Sequence, residues 1–412
     1  MHDTTLYAAI LGVVEPWKVT EVRTELNKGQ IVVHVEMPSS TNPSCPKCGK
    51  ACSRHDHRER RWRHLPTCQY QTILEVNVPR VRCEEHGVLQ TGVPWAEGNS
   101  SFTALMEALV ISWLKEASIS AVAELMSLSW DQVDGIMQRA VRRGLSRRED
   151  VVLQRIGVDE TSFQKRHEYV TVVTDLDSSR VLYVADDRKA ASLQGFFDQY
   201  EPTELVSIEV VAMDMWPPYI STVQENVWEA EKKICFDKFH VAKHLGDGVD
   251  KVRRQEHRQL VADGDSTLTG SKYHWLQNPE GMTSKATAAL DRLKNMALKT
   301  ARAWALKEHA MCLWNYASRG WARIAWRGWV AWAMRSRLEP MKRVARMVRK
   351  HLEGIINAIV HKATNAASES VNARIQRVKR MACGFRNRDR FRNAIYFHLG
   401  GLDMSPATHT IS

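Results

Sequence analysis

Two stretches of the sequence, IGVDE at residues 156–160 and VVAMDMW at residues 210–216, share one local pattern. In each stretch an apolar run with strand character ends in a carboxylate, which is Asp159 in the first and Asp214 in the second. A third acid, Glu369, lies far downstream at the start of a basic segment that is predicted to be helical. If the fold brings the three acids together, they predict a metal-dependent enzyme that acts on phosphodiesters.

Strand and helix patterns alternate around the first two acids. Strands are predicted at residues 151–159, 167–175, 179–186, 206–214 and 232–239, with a helix at residues 189–200 between the third and fourth strands. This order favours an α/β core. Neighbouring side chains on a strand point to opposite faces, so we expect Glu160 to point away from Asp159. An acid at a strand end is more often a turn or cap residue, which we expect of Asp175, Asp177, Asp186 and Asp187.

The charge balance of the chain favours a polyanionic partner. Among 412 residues there are 58 Lys and Arg against 47 Asp and Glu, which gives a net charge of +11 and a pI near 9.3. A scattered basic surface that serves solubility is the alternative, so clustering decides between the two. Eight cations follow Glu369 with one acid, Asp389, among them. They are Arg374, Arg377, Lys379, Arg380, Arg386, Arg388, Arg390 and Arg392.

Length and apolar patterning predict a chain of two to four domains in the cytoplasm. No run of about 18 apolar residues is present, so a membrane-spanning helix is not expected. The N-terminal run from Leu6 to Val14 is short and lacks a basic flank, and we therefore do not interpret it as a signal peptide. In a cytosolic chain, the eight cysteines are reduced thiols or metal ligands, not disulfides.

The N-terminal part predicts a hairpin at residues 18–36, followed by a segment rich in Cys, His and Arg at residues 38–92 that could hardly build a core unaided. In this segment Cys45, Cys48, Cys83 and His86 form a C-x-x-C pair and a C-x-x-H pair, each followed by glycine, as in zinc-ribbon knuckles. Substitute ligands are Cys52, Cys68, His55, His57 and His64. Unpaired cysteines in a loop are the alternative.

A helix-turn-helix is predicted next. A short helix at residues 120–126, a turn at residues 127–129 and a second helix at residues 130–143 fit that motif, and a general three-helix packing unit fits equally well. The second helix ends with Arg139, Arg142 and Arg143, which we predict to contact DNA.

A helical segment with seven tryptophans is predicted at residues 249–337, and a further helix runs from Val344 to Ile359. A tryptophan ring is worth about 5 kcal/mol by buried area, against roughly 1–3 kcal/mol for stacking on a base. Most of the seven are therefore predicted to lie in a core, while one or two contact DNA.

Four motifs carry a resemblance to one known family. The motifs are DETSF around Asp159, AMDMWPPY around Asp214, DKFH at residues 237–240, and SESVNARIQ with GFRN near the end. Together they resemble the DDE transposases of the bacterial ISL-three insertion-sequence family, over nearly the whole chain. In that family the second zinc knuckle often carries two cysteines, whereas here His86 takes the last place.

The resemblance implies an α/β RNase-H-like catalytic core with an α-helical insertion, preceded by β/zinc-ribbon and helix-turn-helix domains. The implied division is a hairpin segment at residues 1–40, a zinc ribbon at 41–95, a helix-turn-helix domain at 100–147, a core split between 150–245 and 340–400, and a tryptophan-rich insertion at 249–337.

The resemblance also implies the chemistry and the partners. Asp159, Asp214 and Glu369 would hold two Mg²⁺ or Mn²⁺ ions, with Asp159 bridging both, while Asp237 and His240 have a supporting role. One structural Zn²⁺ is implied as well. The partners are the terminal inverted repeats of the element and target double-stranded DNA, bound by a homodimer or a larger assembly in the bacterial nucleoid.

Two other functions are compatible with the same motifs. The first is a non-catalytic DNA-binding regulator that kept the zinc ribbon and the helix-turn-helix, although intact acids at all three positions argue against it. The second is a nuclease that cleaves DNA without strand transfer.

Overall fold

The computed structural model describes residues 3–149, 152–164, 168–278, 281–296, 298–363 and 366–407. Val151 and His167, which begin two predicted strands, lie outside these ranges. The chain divides into two compact units. The first comprises residues 1–149, 396–398 and 402–412, and the second comprises residues 150–395 and 399–401.

A five-stranded sheet opens the first unit. Its elements are helix α1 (Asp3–Leu11) and strands β1 (Lys18–Glu25), β2 (Gln30–Glu36), β3 (Ser53–Arg63), β4 (Gln71–Cys83) and β5 (Gly87–Gln90). The strand order is β1-β2-β4-β3, with β5 also paired to β4. The hairpin expected at residues 18–36 is present as the antiparallel pair β1–β2. On its other edge β2 pairs in parallel with β4.

The core of this sheet is shared between the hairpin and the Cys/His-rich segment. Alternate residues of β4 are buried, because every second side chain of a strand faces the same side of the sheet. Leu74 packs with Val33 of the hairpin and with three tryptophans. These are Trp17, Trp62 and Trp95. The predicted division between residues 1–40 and 41–95 therefore cuts through one hydrophobic core.

Three helices complete the first unit: α2 (Ala104–Leu114), α3 (Ile119–Met126) and α4 (Trp130–Ser146). The Ser129 hydroxyl accepts from the Gln132 backbone N–H while the Gln132 side chain accepts from the Ser129 N–H, a capping box that fixes the start of α4. Ser127 in the turn adopts a left-handed conformation with φ +50°. Val122 of α3 and Ile136 of α4 are fully buried in one cluster.

The second unit is built on another five-stranded sheet. Its elements are β6 (Arg155–Gln164), β7 (Glu168–Asp175), β8 (Arg180–Asp186), α5 (Ala190–Phe197), α6 (Pro202–Leu205), β9 (Val210–Met213), α7 (Pro217–Asn226), α8 (Ala230–Lys233) and β10 (Ile234–Phe236). The strand order is β10-β9-β6-β7-β8. Strands β6, β7 and β8 are antiparallel neighbours, whereas β9 runs parallel to both β6 and β10.

Strands β6, β9 and β10 have boundaries that differ from the prediction. Strand β6 continues to Gln164, so Asp159 lies inside the strand and not at its end. The whole of β6 pairs with β7, and these ladder hydrogen bonds extend the strand beyond the apolar run. Strand β9 has only four residues and begins at Val210, because residues 206–209 form the turn and connection that follow helix α6.

Within the described ranges, nine further α-helices follow β10. They are α9 (Lys238–Ala262), α10 (Lys272–Leu276), α11 (Ser284–Lys294), α12 (Lys299–Cys312), α13 (Arg319–Arg335), α14 (Glu339–Lys350), α15 (Leu352–Val360), α16 (Ala366–Met381) and α17 (Arg388–Leu399). The helical segment thus begins at Lys238, before residue 249. The single helix expected between Val344 and Ile359 is two helices, since the backbone leaves the α conformation at His351.

The tryptophans of the helical segment divide by exposure. Trp275, Trp326 and Trp329 are fully buried, and Trp304 and Trp314 pack against the same core. Trp321 and Trp332 are exposed. Among the helices in the described ranges, none is both long and apolar enough to cross a membrane.

Candidate active site and zinc centre

Asp159 and Asp214 are brought side by side by neighbouring parallel strands. Val158 of β6 is in register with Met213 of β9, so the residues that follow them occupy matching positions. The Asp159 Oδ2 atom accepts a hydrogen bond of 2.7 Å from the Asn372 Nδ2 atom, and its Oδ1 atom accepts from the Glu160 backbone N–H. The Oδ1 atom of Asp214 accepts from the Met215 backbone N–H at 2.6 Å.

The surroundings of Asp159 disfavour its charged form. Burial raises the pKa of its carboxyl to about 6, and the nearby charges of Glu160 and Asp214 raise it as well, while the Glu160 N–H and His240 oppose the shift. A bound cation would favour the charged carboxylate in this environment. Carboxylate oxygens are the donors that Mg²⁺ and Mn²⁺ prefer, so the residues present fit such ions.

Helix α16 lies along β6 and carries Glu369 in its first turn. The Gln376 side chain donates to the Thr161 hydroxyl at 2.9 Å, and the Lys379 Nζ atom donates to the Ser162 carbonyl at 2.9 Å. Together with the bond from Asn372 to Asp159, these contacts align three turns of the helix with the strand. Glu369 lies one turn before Asn372 and is exposed.

The three acids do not form a tight ligand set in this structure. Within the described ranges, the sole group of three or more Cys, His, Asp or Glu side chains whose ligand atoms lie within 4.8 Å of one another is Cys45, Cys48, Cys83 and His86. The acidic group is therefore more open than the ligand shell of a single ion.

Asp237 and His240 lie beside Asp214. Asp237 is the residue before helix α9, and His240 is in the first turn of that helix. The His240 Nδ1 atom is 3.8 Å from the Asp214 Oδ1 atom and 4.0 Å from the Asp237 Oδ2 atom. In the part of the chain that the structure describes, this Nδ1 atom and this Oδ2 atom are both buried without a hydrogen-bond partner. Such atoms are costly to bury, which points to a polar group that completes the site.

Glu160 is directed to other partners than Asp159. Its Oε1 atom accepts from the Arg188 guanidinium at 3.1 Å, and that guanidinium lies over the rings of Tyr169 and Trp216. Sequence reasoning missed Arg188 and Asn372. The signal for Asn372 was its position three residues after Glu369, which places both on one helix face.

The predicted metal ligands of the first unit meet in one cluster. The Cys45 Sγ atom is 3.8 Å from the His86 Nδ1 atom, Cys48 Sγ is 3.7 Å from Cys83 Sγ, and Cys83 Sγ is 3.6 Å from His86 Nδ1. Tetrahedral zinc with Zn–S bonds of about 2.3 Å separates its ligands by about 3.8 Å. The hydrogen bond from His86 lowers the pKa of the Cys83 thiol to about 6, which favours the thiolate that binds metal.

The substitute ligands lie outside this cluster. His64 is buried and bonds the Thr103 hydroxyl at 2.9 Å, and burial lowers the pKa of its ring to about 4. Cys68 is exposed, and the Cys52 Sγ atom donates to the Lys50 carbonyl at 3.3 Å. His55 and His57 are exposed on β3. The ligand set is therefore Cys45, Cys48, Cys83 and His86.

Two of the three arginines predicted on the second helix of the helix-turn-helix have internal partners. The Arg139 guanidinium donates to the buried Glu107 carboxylate at 2.6 Å. The Arg143 guanidinium donates to Glu107 at 3.0 Å and to Glu97 at 2.7 Å, and its side chain is 8% exposed. The Arg143 cation is thus held inside the unit, and its contact with DNA stays a prediction. Arg142 is exposed.

The basic tail divides in the same way. Arg374, Arg377, Arg380 and Arg386 are exposed, and the first three follow the outer face of α16. Lys379 donates to the Ser162 carbonyl, and Arg388 pairs with Glu168 at 3.4 Å and Asp187 at 3.3 Å. Arg388 therefore already has carboxylate partners, and its phosphate contact stays a prediction.

These features define a class of protein: an enzyme that processes DNA. They are an α/β core that pairs two aspartates, a cysteine–histidine metal cluster, a helix-turn-helix and the basic outer face of α16. Comparison with known families agrees. The transposase model of the ISL3 (ISL-three) family matches residues 156–395, the zinc-finger model of the IS204/IS1001/IS1096/IS1165 transposases matches residues 41–86, and the helix-turn-helix model of transposase family ISL3 matches residues 93–141. The chain belongs to the ISL3 family of transposases.

Relatives match the chain over nearly all of its length. The transposase for insertion sequence element IS1557 of Mycobacterium tuberculosis, found in two strains, is 28% identical over 94% of this chain and 93% of its own. The transposase for insertion sequence element IS1001 of Bordetella parapertussis is 27% identical over 92% of this chain and 95% of its own. The family predicted from the motifs is thus confirmed, and the zinc-finger match supports a structural zinc at the Cys₃His cluster.

Proposed function

We propose that the chain binds the terminal inverted repeats of its insertion sequence, cleaves the strands by two-metal hydrolysis and joins the 3′ ends to target DNA. The observation that carries this proposal is the hydrogen bond from Asn372 to Asp159, because it ties the helix of Glu369 to the strand of Asp159. The sheet order β10-β9-β6-β7-β8, with its three antiparallel and two parallel strands, supports an RNase-H-like core.

The three acids would share two divalent ions. Asp159 would bridge both ions, and Asp214 and Glu369 would each hold one. The two ions of such a site are about 3.5–4 Å apart, so acids that hold different ions lie farther apart than the ligands of one ion. The open arrangement of the three acids fits this spacing. When bound, the ions activate a water or a 3′-hydroxyl and stabilise the departing oxygen. Asn372 orients the Asp159 carboxylate, and His240 lies where it could orient Asp214.

The other modules would place DNA on this site. The helix-turn-helix and the zinc ribbon would recognise the terminal repeats, with exposed Arg142 as a phosphate contact. The exposed arginines of α16 follow Glu369 directly, so they would hold the backbone beside the acids. Pairing of two ends implies at least a dimer.

A joining assay tests this function. DNA that flanks the coding region on each side would be supplied as a pre-nicked duplex with a free 3′-hydroxyl, together with a supercoiled plasmid. With Mg²⁺ we expect plasmid molecules joined to the duplex, and with a chelator none. Cleavage of intact ends without any joined product would identify a nuclease and contradict the proposal of strand transfer.

Gly157 should be required for the position of Glu369. A Cβ atom at this residue would lie 2.8 Å from Leu176 and Thr174 and still closer to the Ser368 hydroxyl, which immediately precedes Glu369. We expect Gly157→Ala to destabilise the protein by about 1–3 kcal/mol, as overpacking does, and to lower cleavage by shifting the first turn of α16. Denaturant unfolding and a cleavage assay measure the two effects.

Gly328→Ala is the matched control, because a Cβ atom there meets no atom within 4 Å. It lies in helix α13, so the change should be neutral or slightly stabilising. A Gly157→Ala protein with wild-type stability and cleavage would show that the close approach of Ser368 does not position Glu369.

A further inference from the structure

A cavity of about 970 Å³ lies in the second unit. It is open to solvent on one side and is lined by α7, α8, β10, α13 and the junction of α14 and α15. The walls are largely apolar and are formed by Ile220, Ile234, Phe236, Val330, Met334 and Leu352. Cavities of about 300–1,000 Å³ with apolar walls and a few polar groups are typical of small-ligand sites.

Cations dominate the charged groups that line this cavity. Arg327, Arg349 and Lys350 are exposed, and no ion pair is found for them within the described residues. Of the two lining acids, Glu353 is paired with Arg323 at 3.1 Å, which leaves Glu231. Ser221 and Gln224 add uncharged hydrogen-bonding groups on the wall formed by α7.

The cavity borders the candidate active site. Pro217 on its wall is three residues after Asp214, and Phe236 immediately precedes Asp237. The Phe236 ring meets the His351 ring edge to face at 5.0 Å between centroids. It also occupies the space where a side chain at residue 354 would begin, so Gly354 allows the ring to form the wall.

We infer that this cavity receives one unpaired nucleotide of the DNA substrate, with the base against the apolar wall and its phosphate at Arg349, Lys350 and Arg327. The inference rests on the proposed function. A paired duplex presents base edges, sugars and phosphates but keeps its base faces stacked inside, so it has no free base face that could enter an apolar cavity. An extruded base has a free face that fits such a cavity. Enzymes that act on DNA accept extruded bases in pockets of this kind.

Fluorescence anisotropy with two labelled duplexes tests the inference. One duplex is fully paired, and the other has the same sequence with one unpaired nucleotide. We expect wild-type protein to bind the second duplex about tenfold more tightly, since stacking of one base on aromatic and apolar side chains has that order of effect. Ala331→Phe fills the cavity from α13, and the double change Arg349→Ala with Lys350→Ala removes two of its three cations, so both should abolish the preference.

Matched controls separate the cavity from general effects. Arg343 is exposed on α14 but does not line the cavity, so Arg343→Ala should keep the preference. Gly320→Phe places a phenyl group on α13 where a Cβ atom contacts only the Ser318 hydroxyl, and it should also keep the preference. Thermal unfolding of every variant should match the wild type.

The outcomes are distinct. Tight binding of both duplexes without a preference, or a preference that persists in Ala331→Phe, overturns the inference and leaves the proposed function standing. Failure to bind either duplex overturns both. Titration with a free nucleoside monophosphate shows whether the cavity takes a nucleotide of DNA or a free one. One result would assign the cavity to a free nucleotide and contradict the inference. That result is saturable binding at micromolar concentration that Ala331→Phe removes, without any preference between duplexes.

Discussion

Asp159→Asn is expected to lower strand cleavage on the order of 10³-fold or more, because a metal-bound carboxylate supports several kcal/mol of transition-state stabilisation. Asparagine has nearly the shape of aspartate and retains a carbonyl that can accept the hydrogen bond from Asn372. What it loses is the negative charge of a half-buried side chain. Cleavage of a terminal duplex in Mg²⁺ measures the effect, and binding of the same duplex in a chelator should stay near that of the wild type.

Asp214→Asn and Glu369→Gln should have effects of the same order. Glu160→Gln is the matched control, since Glu160 is the next residue on β6 but is bonded to Arg188. Its loss should weaken that pair and leave cleavage within a few fold of wild type. If Glu160→Gln abolished cleavage while Asp159→Asn retained it, the assignment of the acids would be reversed.

The strands of the second unit could be predicted because their signals are local. Apolar runs of four to eight residues mark buried strands, and all five strands of the second unit occur where such runs lie. The end of β6 could not be predicted in this way. Its last five residues are held by pairing with β7, and strand pairing depends on a partner that the pattern of one segment does not specify.

The roles of the arginines depend on distant residues. Arg143 is 36 positions from Glu107, and Arg388 is 201 positions from Asp187. A cluster of cations in the sequence therefore predicts a basic segment, but it does not show which guanidinium is already paired in the fold. Helical periodicity would have separated Arg374 and Arg377 from Lys379, since the first two lie on the outer face of α16 and Lys379 reaches back toward β6.

The exposure of the tryptophans also depends on packing that the sequence pattern does not specify. Comparison of burial with stacking energies predicted that most of the rings would be in the core. Trp275, Trp326 and Trp329 are fully buried there. That comparison could not identify the exceptions. Trp321 and Trp332 are eleven positions apart in α13, which returns them to one face of the helix, and only the packing of α13 on its neighbours shows that this face is exposed.

Cys83→Ser is expected to release the zinc and open the knuckle at residues 45–52. Cys83 ends β4, whereas Cys45 and Cys48 lie in a short loop that folds on itself through the bridge between Ser44 and Ala51. Zinc would join this loop to the sheet, and a structural zinc site contributes on the order of 10 kcal/mol to folding. The remaining sheet has its own core around Trp62 and Leu74, so we expect local opening instead of global unfolding.

Metal analysis and limited trypsin digestion measure this effect, because Lys47 and Lys50 lie within the knuckle. The wild type should carry one zinc per chain and resist cleavage there, whereas Cys83→Ser should carry none and be cut at both lysines. Cys68→Ser is the matched control, since Cys68 is exposed and outside the cluster. It should keep both the metal and the resistance. A Cys83→Ser protein that retains a full equivalent of zinc and a protected knuckle would mean that the ligand set differs from the four residues assigned. Three remaining ligands and a water hold a zinc ion far less firmly than a closed structural site does.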